Sequence, residues 1–123
     1  MESALRSGAG EPGLKLIETL RLGSSADRLA LHRARMAAGA AALGWAFDRA
    51  GFDRAVAVDP AGGLRLRLTL DAAGRFEAAQ AGLPEARAEW RLGLAAARLW
   101  SGDPWLTVKS TNRGVYDAAR AGL

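Results

Sequence analysis

Leu64-Arg-Leu-Arg-Leu-Thr-Leu-Asp-Ala-Ala-Gly-Arg-Phe-Glu77 carries the clearest secondary-structure signal in the chain. Its leucines occupy every second position from 64 to 70, which is the period of a β-strand with one apolar face. The Ala-Ala-Gly at 72–74 fits a three-residue hairpin loop with Gly74 in the left-handed conformation. This loop sets Leu70 opposite Phe76, so that apolar side chains meet across the two strands. The stretch therefore predicts an antiparallel hairpin.

Two further stretches, one on each side of the hairpin, predict strands. In Leu14–Leu22, the leucines at 14, 16, 20 and 22 share one face with Glu18, whereas Arg21 falls on the opposite face. Downstream of the hairpin, Trp90, Leu92 and Leu94 alternate in the same way. Strands with a single apolar face are typical of an antiparallel sheet that is covered on one side.

Helical patterns lie between and after these strands. A helix is predicted over 27–43, with Ser25 or Asp27 as its cap and Gly44 as its stop. Shorter helices are predicted over 48–57 and 113–123. In the long helix, an apolar stripe would pack on the sheet; it consists of Leu29, Met36, Ala40 and Leu43. The predicted fold class is therefore α+β, an antiparallel sheet with helices packed on one face.

The chain divides into three parts by composition. Residues 1–12 are rich in Gly and Ser and are predicted to be a flexible N-terminus. Residues 13–100 are predicted to form one small α+β domain. Residues 101–123 begin with Ser-Gly-Asp-Pro, a break in regularity, and hold the segment around Lys109, which we interpret as the start of a second domain.

Composition and charge exclude several classes of function. The 123 residues contain no Cys and a single His, so disulfides, thiol chemistry and a transition-metal site are not expected. No apolar run is long enough to cross a membrane, and the first residues lack the plan of a signal peptide, so a cytoplasmic location is expected. The net charge of +4 suggests nucleic acid, but arginines are interleaved with Asp and Glu throughout. A nucleic-acid partner is therefore not favoured.

Lys109 is the first candidate for chemistry. It is one of only two lysines, and it lies where a predicted extended segment runs into the last helix. A lysine that attacks a carbonyl must be neutral, which requires burial or a neighbouring positive charge. Residue type alone favours an ordinary solvated lysine, so the interpretation depends on the surrounding motifs.

Three motifs occur in a fixed order around this lysine. The first is Leu16-Ile-Glu-Thr-Leu-Arg21, the second is Leu31-His-Arg-Ala-Arg-Met36 followed by Leu-Gly at 43–44, and the third is Lys109-Ser-Thr-Asn-Arg-Gly-Val-Tyr-Asp-Ala-Ala. Together they resemble the class IV aminotransferases and aminodeoxychorismate lyases, which are the fold-type IV pyridoxal-phosphate enzymes. In the second motif, Met36 stands where the family usually has Leu, a tolerable exchange in a packed position.

The resemblance implies a cofactor and a set of site residues. Pyridoxal 5'-phosphate would be the cofactor, with Lys109 as the catalytic lysine that carries it as a Schiff base. Arg35 would contact the cofactor phosphate, a role that suits a guanidinium fork. Glu18, Arg21 and Arg113 would shape the pocket for a small-molecule amino substrate, and the protein would be a homodimer. From the residues alone, His32 is interpreted as a helix histidine that positions its neighbours by hydrogen bonding.

The resemblance also has departures. Family members begin with an additional strand and an Asp-x-Gly segment that are not visible here. They continue into a second domain that supplies a glutamate for the cofactor ring nitrogen and a helix N-terminus for the phosphate. The sequence is thus similar to the N-terminal portion of such an enzyme.

Three alternatives therefore stay open. The first is the choice between the lyase and a branched-chain or D-amino-acid aminotransferase, where Lys109-x-x-Asn112-Arg113 favours the lyase. The second is a truncated, non-catalytic fragment of such an enzyme. The third, less favoured, is a small basic nucleic-acid-binding module.

Overall fold

A computed structural model describes residues 2–122 as an α+β fold built on a three-stranded antiparallel sheet in the order β1-β2-β3. Two 3-10 turns, Pro60–Gly62 and Pro104–Thr107, occur in the connections. In chain order the helices and strands are α1 (Glu2–Gly8), β1 (Lys15–Arg21), α2 (Ala26–Leu43), α3 (Arg49–Val56), β2 (Arg65–Asp71), β3 (Phe76–Ala81) and α4 (Gly114–Ala121). Among the described residues, no helix is both long enough and apolar enough to span a bilayer.

The sheet confirms the predicted hairpin and its register. Leu70 pairs with Phe76 across β2 and β3, and Gly74 closes the loop with φ of 84°. On its other side β2 pairs with β1, where Leu68 lies opposite Glu18. The leucines of β2 are completely buried because each one points toward the helices. The central strand is therefore paired along both edges and covered on one face.

Helix α2 lies on that covered face and begins and ends where its sequence predicts. The backbone N–H of Arg28 donates to Ser25 Oγ at 3.2 Å, and Gly44 ends the helix with φ of 75°. Gly39 faces β1, where a Cβ would come within 3.2 Å of the Leu16 side chain. The absence of a side chain at this position lets the helix approach the sheet closely. The buried residues of α2 are Met36, Gly39, Ala40 and Leu43.

Helix α3 and an aromatic cluster complete the core. Phe52 of α3 is fully buried, and its ring centroid lies 5.9 Å from that of Phe47 and 6.3 Å from that of Phe76. Such tilted and edge-on contacts are favourable geometries for aromatic rings. Together, α2 and α3 cover one face of the sheet, as predicted. Neither α2 nor α3 packs on the opposite face, which exposes Arg65 and Arg67.

The N-terminal segment differs from expectation. Residues 2–8 form helix α1, whereas their composition predicts a flexible segment. Leu5 is the physical reason, since its side chain is only 3% exposed and joins the main core cluster. Gly8 also fits closely against Trp105, whose ring leaves no room for a Cβ there. One apolar side chain and one aromatic contact thus order a segment that looks featureless in sequence.

The strand predicted around Trp90, Leu92 and Leu94 is wrong. These side chains are 70%, 92% and 102% exposed, and residues 82–100 contain no helix or strand. The reason is that the outer edge of β3 pairs with no further strand among the described residues, so the alternation has nothing to pack against. We call residues 82–101, all of which are exposed, the exposed segment.

Candidate functional site

Lys109 is positioned by the free edge of β1. The backbone N–H of Ile17 donates to the Lys109 carbonyl at 2.9 Å, and the N–H of Thr111 donates to the Lys15 carbonyl at 2.8 Å. Between these bonds, Ser110 forms an isolated antiparallel bridge to β1 and is buried. Side chains alternate along such a segment, so Lys109 and Thr111 lie on the opposite side from Ser110.

Lys109 lines a cleft of about 330 Å³. Its wall combines three cations with hydroxyl, amide and aromatic groups, and the excess of positive charge favours an anionic ligand. The cationic, amide and phenol side chains of this wall are Arg35 from α2, Lys109, Asn112, Arg113, and Tyr116 from α4. The cleft thus lies where the long helix, the edge of the sheet and the last helix meet.

The surroundings of Lys109 favour its neutral amine. Burial lowers the pKa of Lys109, since taking an ammonium group out of water penalises its charged form. The carboxylate of Glu18 opposes this effect, but the positive charges of Arg35 and Arg113 lower the pKa further. The net direction is downward, which increases the fraction of amine that can act as a nucleophile near neutral pH.

Beneath the cleft lies a fully buried carboxylate. Glu18 accepts two hydrogen bonds from Arg35, from Nε to Oε1 and from Nη2 to Oε2, each at 2.6 Å. The Nδ1 of His32 lies 2.6 Å from the same Oε2. Burial by itself raises the pKa of Glu18, but the hydrogen bonds from Arg35 and His32 outweigh it and hold that pKa below its usual range. Glu18 is therefore a buried anion at neutral pH.

Arg35 keeps part of its guanidinium available. It has five N–H donors, and the bidentate pair with Glu18 occupies one edge, Nε and Nη2. About half of the side chain, 52%, remains exposed, and Arg35 forms part of the wall of the cleft. The remaining donors can bind an anion in the cleft while Glu18 fixes the orientation of the fork.

The predicted site residues fall into three groups. Lys109, Arg35 and Arg113 line one cleft, where Arg113 Nε also forms an ion pair with Asp117 Oδ1 at 3.3 Å. Glu18 is adjacent to the cleft but lies beneath it, since its carboxylate is buried behind Arg35. Arg21 is elsewhere: it is exposed near the end of β1 and lines shallow depressions beside α2. Arg21 lies three residues from Glu18 along β1, and because side chains alternate along a strand, the two side chains are on opposite faces.

Two arginines next to the lysine were missed by sequence reasoning. Arg65 and Arg67 line a second cleft, of about 480 Å³, to which Lys109 and Arg113 also contribute. In the sequence, Arg65 and Arg67 are the outward-facing polar positions of the alternating stretch that predicts β2. This pattern did not identify them as site residues, because nothing local indicates that the outward face of β2 lies beside Lys109. His32, by contrast, makes the positioning hydrogen bond that was expected of it.

The fold is aminotransferase-like. The chain is similar to a crystal structure of a "Putative amino-acid aminotransferase" from Mesorhizobium loti, with a TM-score of 0.76 and 32% sequence identity over 89% of this chain. The match covers 56% of that protein, so the chain spans little more than half of its length. No protein-family model matches the chain, and no curated protein matches it. The α+β fold agrees with the N-terminal domain of such an enzyme.

Proposed function

We propose that this chain forms the lysine-bearing part of the active site of a class IV pyridoxal-phosphate enzyme, with Lys109 as the residue that holds the cofactor. The observation that carries the proposal is the placement of Lys109, half-buried with a lowered pKa beside Arg35 and Arg113. The similarity to an aminotransferase structure supports the same class of chemistry.

The residues of the cleft fit the chemical groups of pyridoxal phosphate. An aldehyde needs a neutral primary amine, and the lowered pKa of Lys109 increases the fraction of that form. A phosphate needs donors in a fixed geometry, and the unoccupied edge of Arg35 supplies them. When bound, this cofactor supplies an electron sink for reactions at the α-carbon of an amino substrate. Lys109 would hold the cofactor and, once displaced, take and return a proton at its Nζ.

Glu18 is proposed to act through Arg35 and not on the substrate. Its buried carboxylate bonds both nitrogens of one guanidinium edge, which leaves a single orientation for the donors that face the cleft. The hydrogen bond from His32 holds the second side of that carboxylate. Such outer partners keep a binding group within the narrow geometry that a site requires.

Lyase and aminotransferase activities need the same lysine and differ in the substrate pocket. Asn112 lies in the cleft, and its backbone N–H donates to the Ser110 hydroxyl at 3.1 Å. Lys109, Asn112 and Arg113, whose Lys-x-x-Asn-Arg pattern resembles that of aminodeoxychorismate lyases, line the same cleft, which supports the proposal of a lyase. We therefore propose the lyase first and an aminotransferase of the branched-chain or D-amino-acid type second.

We also propose that the working form is a homodimer, in which the exposed segment is covered. Trp90, Leu92, Leu94 and Trp100 each expose 70% or more of their surface, and all four lie in the exposed segment. Large apolar side chains that are exposed together, unlike single scattered ones, are typical of a surface that binds another protein. Sedimentation of the chain as a dimer, and of a Leu94→Asp variant as a monomer, is the expected result; a monomeric wild-type chain would contradict it.

The proposal for Lys109 is tested by trapping. The chain is incubated with pyridoxal phosphate and reduced with borohydride, and the modified residue is mapped by mass spectrometry. We expect the adduct on Lys109, and we expect Lys109→Ala to abolish the absorbance of the bound cofactor. Lys15 is the matched control, because it is the second lysine and forms an exposed ion pair with Glu77 at 3.5 Å. Lys15→Ala should trap as the wild type does.

The pH dependence of trapping gives a second readout. Since burial lowers the pKa of Lys109, its neutral form appears at lower pH than in a free lysine side chain. The trapping rate should therefore reach its plateau at a lower pH than that of N-acetyl-lysine under the same conditions. Adducts spread equally over Lys15 and Lys109, or a pH profile that matches N-acetyl-lysine, would leave the lysine without a special role.

A further inference from the structure

One wall of the Lys109 cleft includes an aromatic side chain that rests on helix α1. Trp105 lines the cleft together with Lys109, and its ring packs against Gly8, the last residue of α1. A Cβ built on Gly8 would lie 2.5 Å from Cζ2 of that ring, which is closer than packed carbon atoms approach. Gly8 itself is not part of the wall of the cleft. The Trp105 ring therefore stands between α1 and the cleft.

The backbone on both sides of this contact is held in place. The backbone N–H of Trp105 donates to Asp103 Oδ1 at 3.0 Å, and the N–H of Leu106 donates to the Asp103 carbonyl at 3.1 Å. On the side of α1, the Leu5 side chain is only 3% exposed and belongs to the main core cluster. An atom added at Gly8 is therefore expected to turn the indole ring while the backbone stays in place.

The open space beside the ring is the cleft itself. Trp105 is partly buried and packs against the main core cluster, and α1 lies behind its ring. The cleft of about 330 Å³ lies on the side away from α1. A ring that is pushed off Gly8 would hence enter the cleft and narrow the approach to Lys109. The size of the side chain at position 8 thus determines how far the ring reaches into the cleft.

We propose that Gly8 and Trp105 together set the size of the carbonyl compound that can reach Lys109. Trp105 is the specificity-determining residue, because its ring faces the occupant of the cleft, and Gly8 is a positioning residue that acts through this ring. The inference rests on the proposed function for the kind of ligand, since Lys109 is there the amine that reacts with a carbonyl group. It goes beyond that function by assigning control of ligand size to a contact with α1.

Reductive labelling with two aldehydes of different size measures the width of the cleft. Formaldehyde or benzaldehyde condenses with an amine with loss of water, and hydride from cyanoborohydride reduces the product to a stable alkylamine. Mass spectrometry compares the labelling rate of Lys109 with that of Lys15, whose ion pair with Glu77 is exposed. Gly8→Ala should lower the benzaldehyde rate at Lys109 by about tenfold and leave the formaldehyde rate almost unchanged. A tenfold change corresponds to about 1.4 kcal/mol, which is typical of an overpacked contact.

Gly10→Ala is the matched control. It adds the same methyl group two residues further along the chain, where a Cβ would meet no atom within 4 Å, and it should leave both labelling rates unchanged. An equal loss of benzaldehyde labelling in Gly8→Ala and Gly10→Ala would overturn the inference. So would an equal change in the rates of both aldehydes in Gly8→Ala, since this would indicate an altered amine in a cleft of unaltered width.

A compensating substitution provides a second test that depends on size alone. Trp105→Phe shortens the aromatic side chain and should raise the benzaldehyde rate at Lys109. In the double variant Gly8→Ala/Trp105→Phe, the smaller ring leaves room for the added methyl group, so benzaldehyde labelling should return toward the wild-type rate. A double variant that labels as slowly as Gly8→Ala would contradict the proposed contact between the ring and α1.

Trapping of pyridoxal phosphate on the wild-type chain separates the two proposals. Trapping on Lys109, with no effect of aldehyde size in Gly8→Ala, would overturn only the inference about the Trp105 wall. A size effect in Gly8→Ala without trapping of pyridoxal phosphate would overturn the proposed function. Gly8 and Trp105 would in that case still set the width of the cleft, for a different carbonyl compound.

Discussion

Two stretches of this chain have the same alternating pattern and opposite structures. In β2, Leu66, Leu68 and Leu70 are completely buried, whereas the side chains of Leu92 and Leu94 in the exposed segment are 92% and 102% exposed. The first stretch has a partner strand on each side and two helices above it, and the second has no partner among the described residues. Alternation thus identifies which side chains share a face, but a strand forms only where something covers that face.

The largest contrast should come from truncating one leucine in each stretch. Leu68→Ala should lower the free energy of unfolding by about 2–5 kcal/mol, because it leaves a cavity between β2 and the helices. Leu94→Ala should change it by no more than about 0.5 kcal/mol, since the side chain makes no buried contact. Urea denaturation of both variants measures the difference. Similar losses in the two would mean that the exposed segment is packed in solution.

Charged contacts should show the same contrast between the packed sheet, here strand β1, and the exposed segment. Glu18→Gln should destabilise the protein by about 1.5–3 kcal/mol, since it weakens the three hydrogen bonds between a buried carboxylate and the side chains of Arg35 and His32. In the exposed segment, Arg87 lies 5.2 Å above the Trp90 ring, and Arg87→Gln should have an effect of at most about 0.5–1 kcal/mol.

The pH dependence of stability identifies the buried carboxylate. Because folding lowers the pKa of Glu18, its contribution is complete above the ordinary value of 4.5 and is lost as the pH falls below that value, where the unfolded chain takes up the proton first. Glu18→Gln should remove this part of the acid sensitivity, and Arg87→Gln should keep it. An unchanged acid profile in Glu18→Gln would contradict the pairing with Arg35 and His32.

Substitution of one glycine in each region should give the smallest difference in stability between the two regions. Gly63 precedes β2 with φ of 125°, and a Cβ there would lie 2.4 Å from the backbone oxygen of Ala81. Gly63→Ala should therefore cost about 1–3 kcal/mol through strain at the start of the strand. Gly93→Ala, in the exposed segment, meets no atom within 4 Å and should be close to neutral. Thermal unfolding of the two variants tests the pair, and equal shifts in Tm would count against the geometry at Gly63.

Local sequence patterns were enough to predict most of the sheet and of the helices that pack on it. The hairpin register, the caps Ser25 and Gly44, and the apolar stripe of α2 each depend on residues close in sequence. The sequence misled at α1 and at Trp90–Leu94, because burial there depends on whether a distant surface is present. Leu5 finds such a surface in the core, and Leu94 does not.

The candidate site was predictable only in part, for the same physical reason. The three motifs indicated Lys109, Arg35 and Glu18, but alternation alone could not show which face of β1 Glu18 would occupy relative to the cleft. Its burial follows from a partner 17 residues away on α2, and the second cleft follows from the bridge that brings Lys109 to the edge of β1. Such juxtapositions belong to the tertiary structure and leave no local pattern.

The bridge beside Lys109 has a consequence for the order in which this protein assembles. Thr111 and Lys15, whose hydrogen bonds flank this bridge, are separated by 96 residues, so their contact closes most of the chain into one loop. Contacts of such long separation lose the most chain entropy on closure and are expected to form after local hairpins and helices. Until this loop closes, we expect Lys109 to react as an ordinary solvated amine. An increase in its rate of reaction with a carbonyl would then mark the step at which residues 109–111 pair with the edge of β1.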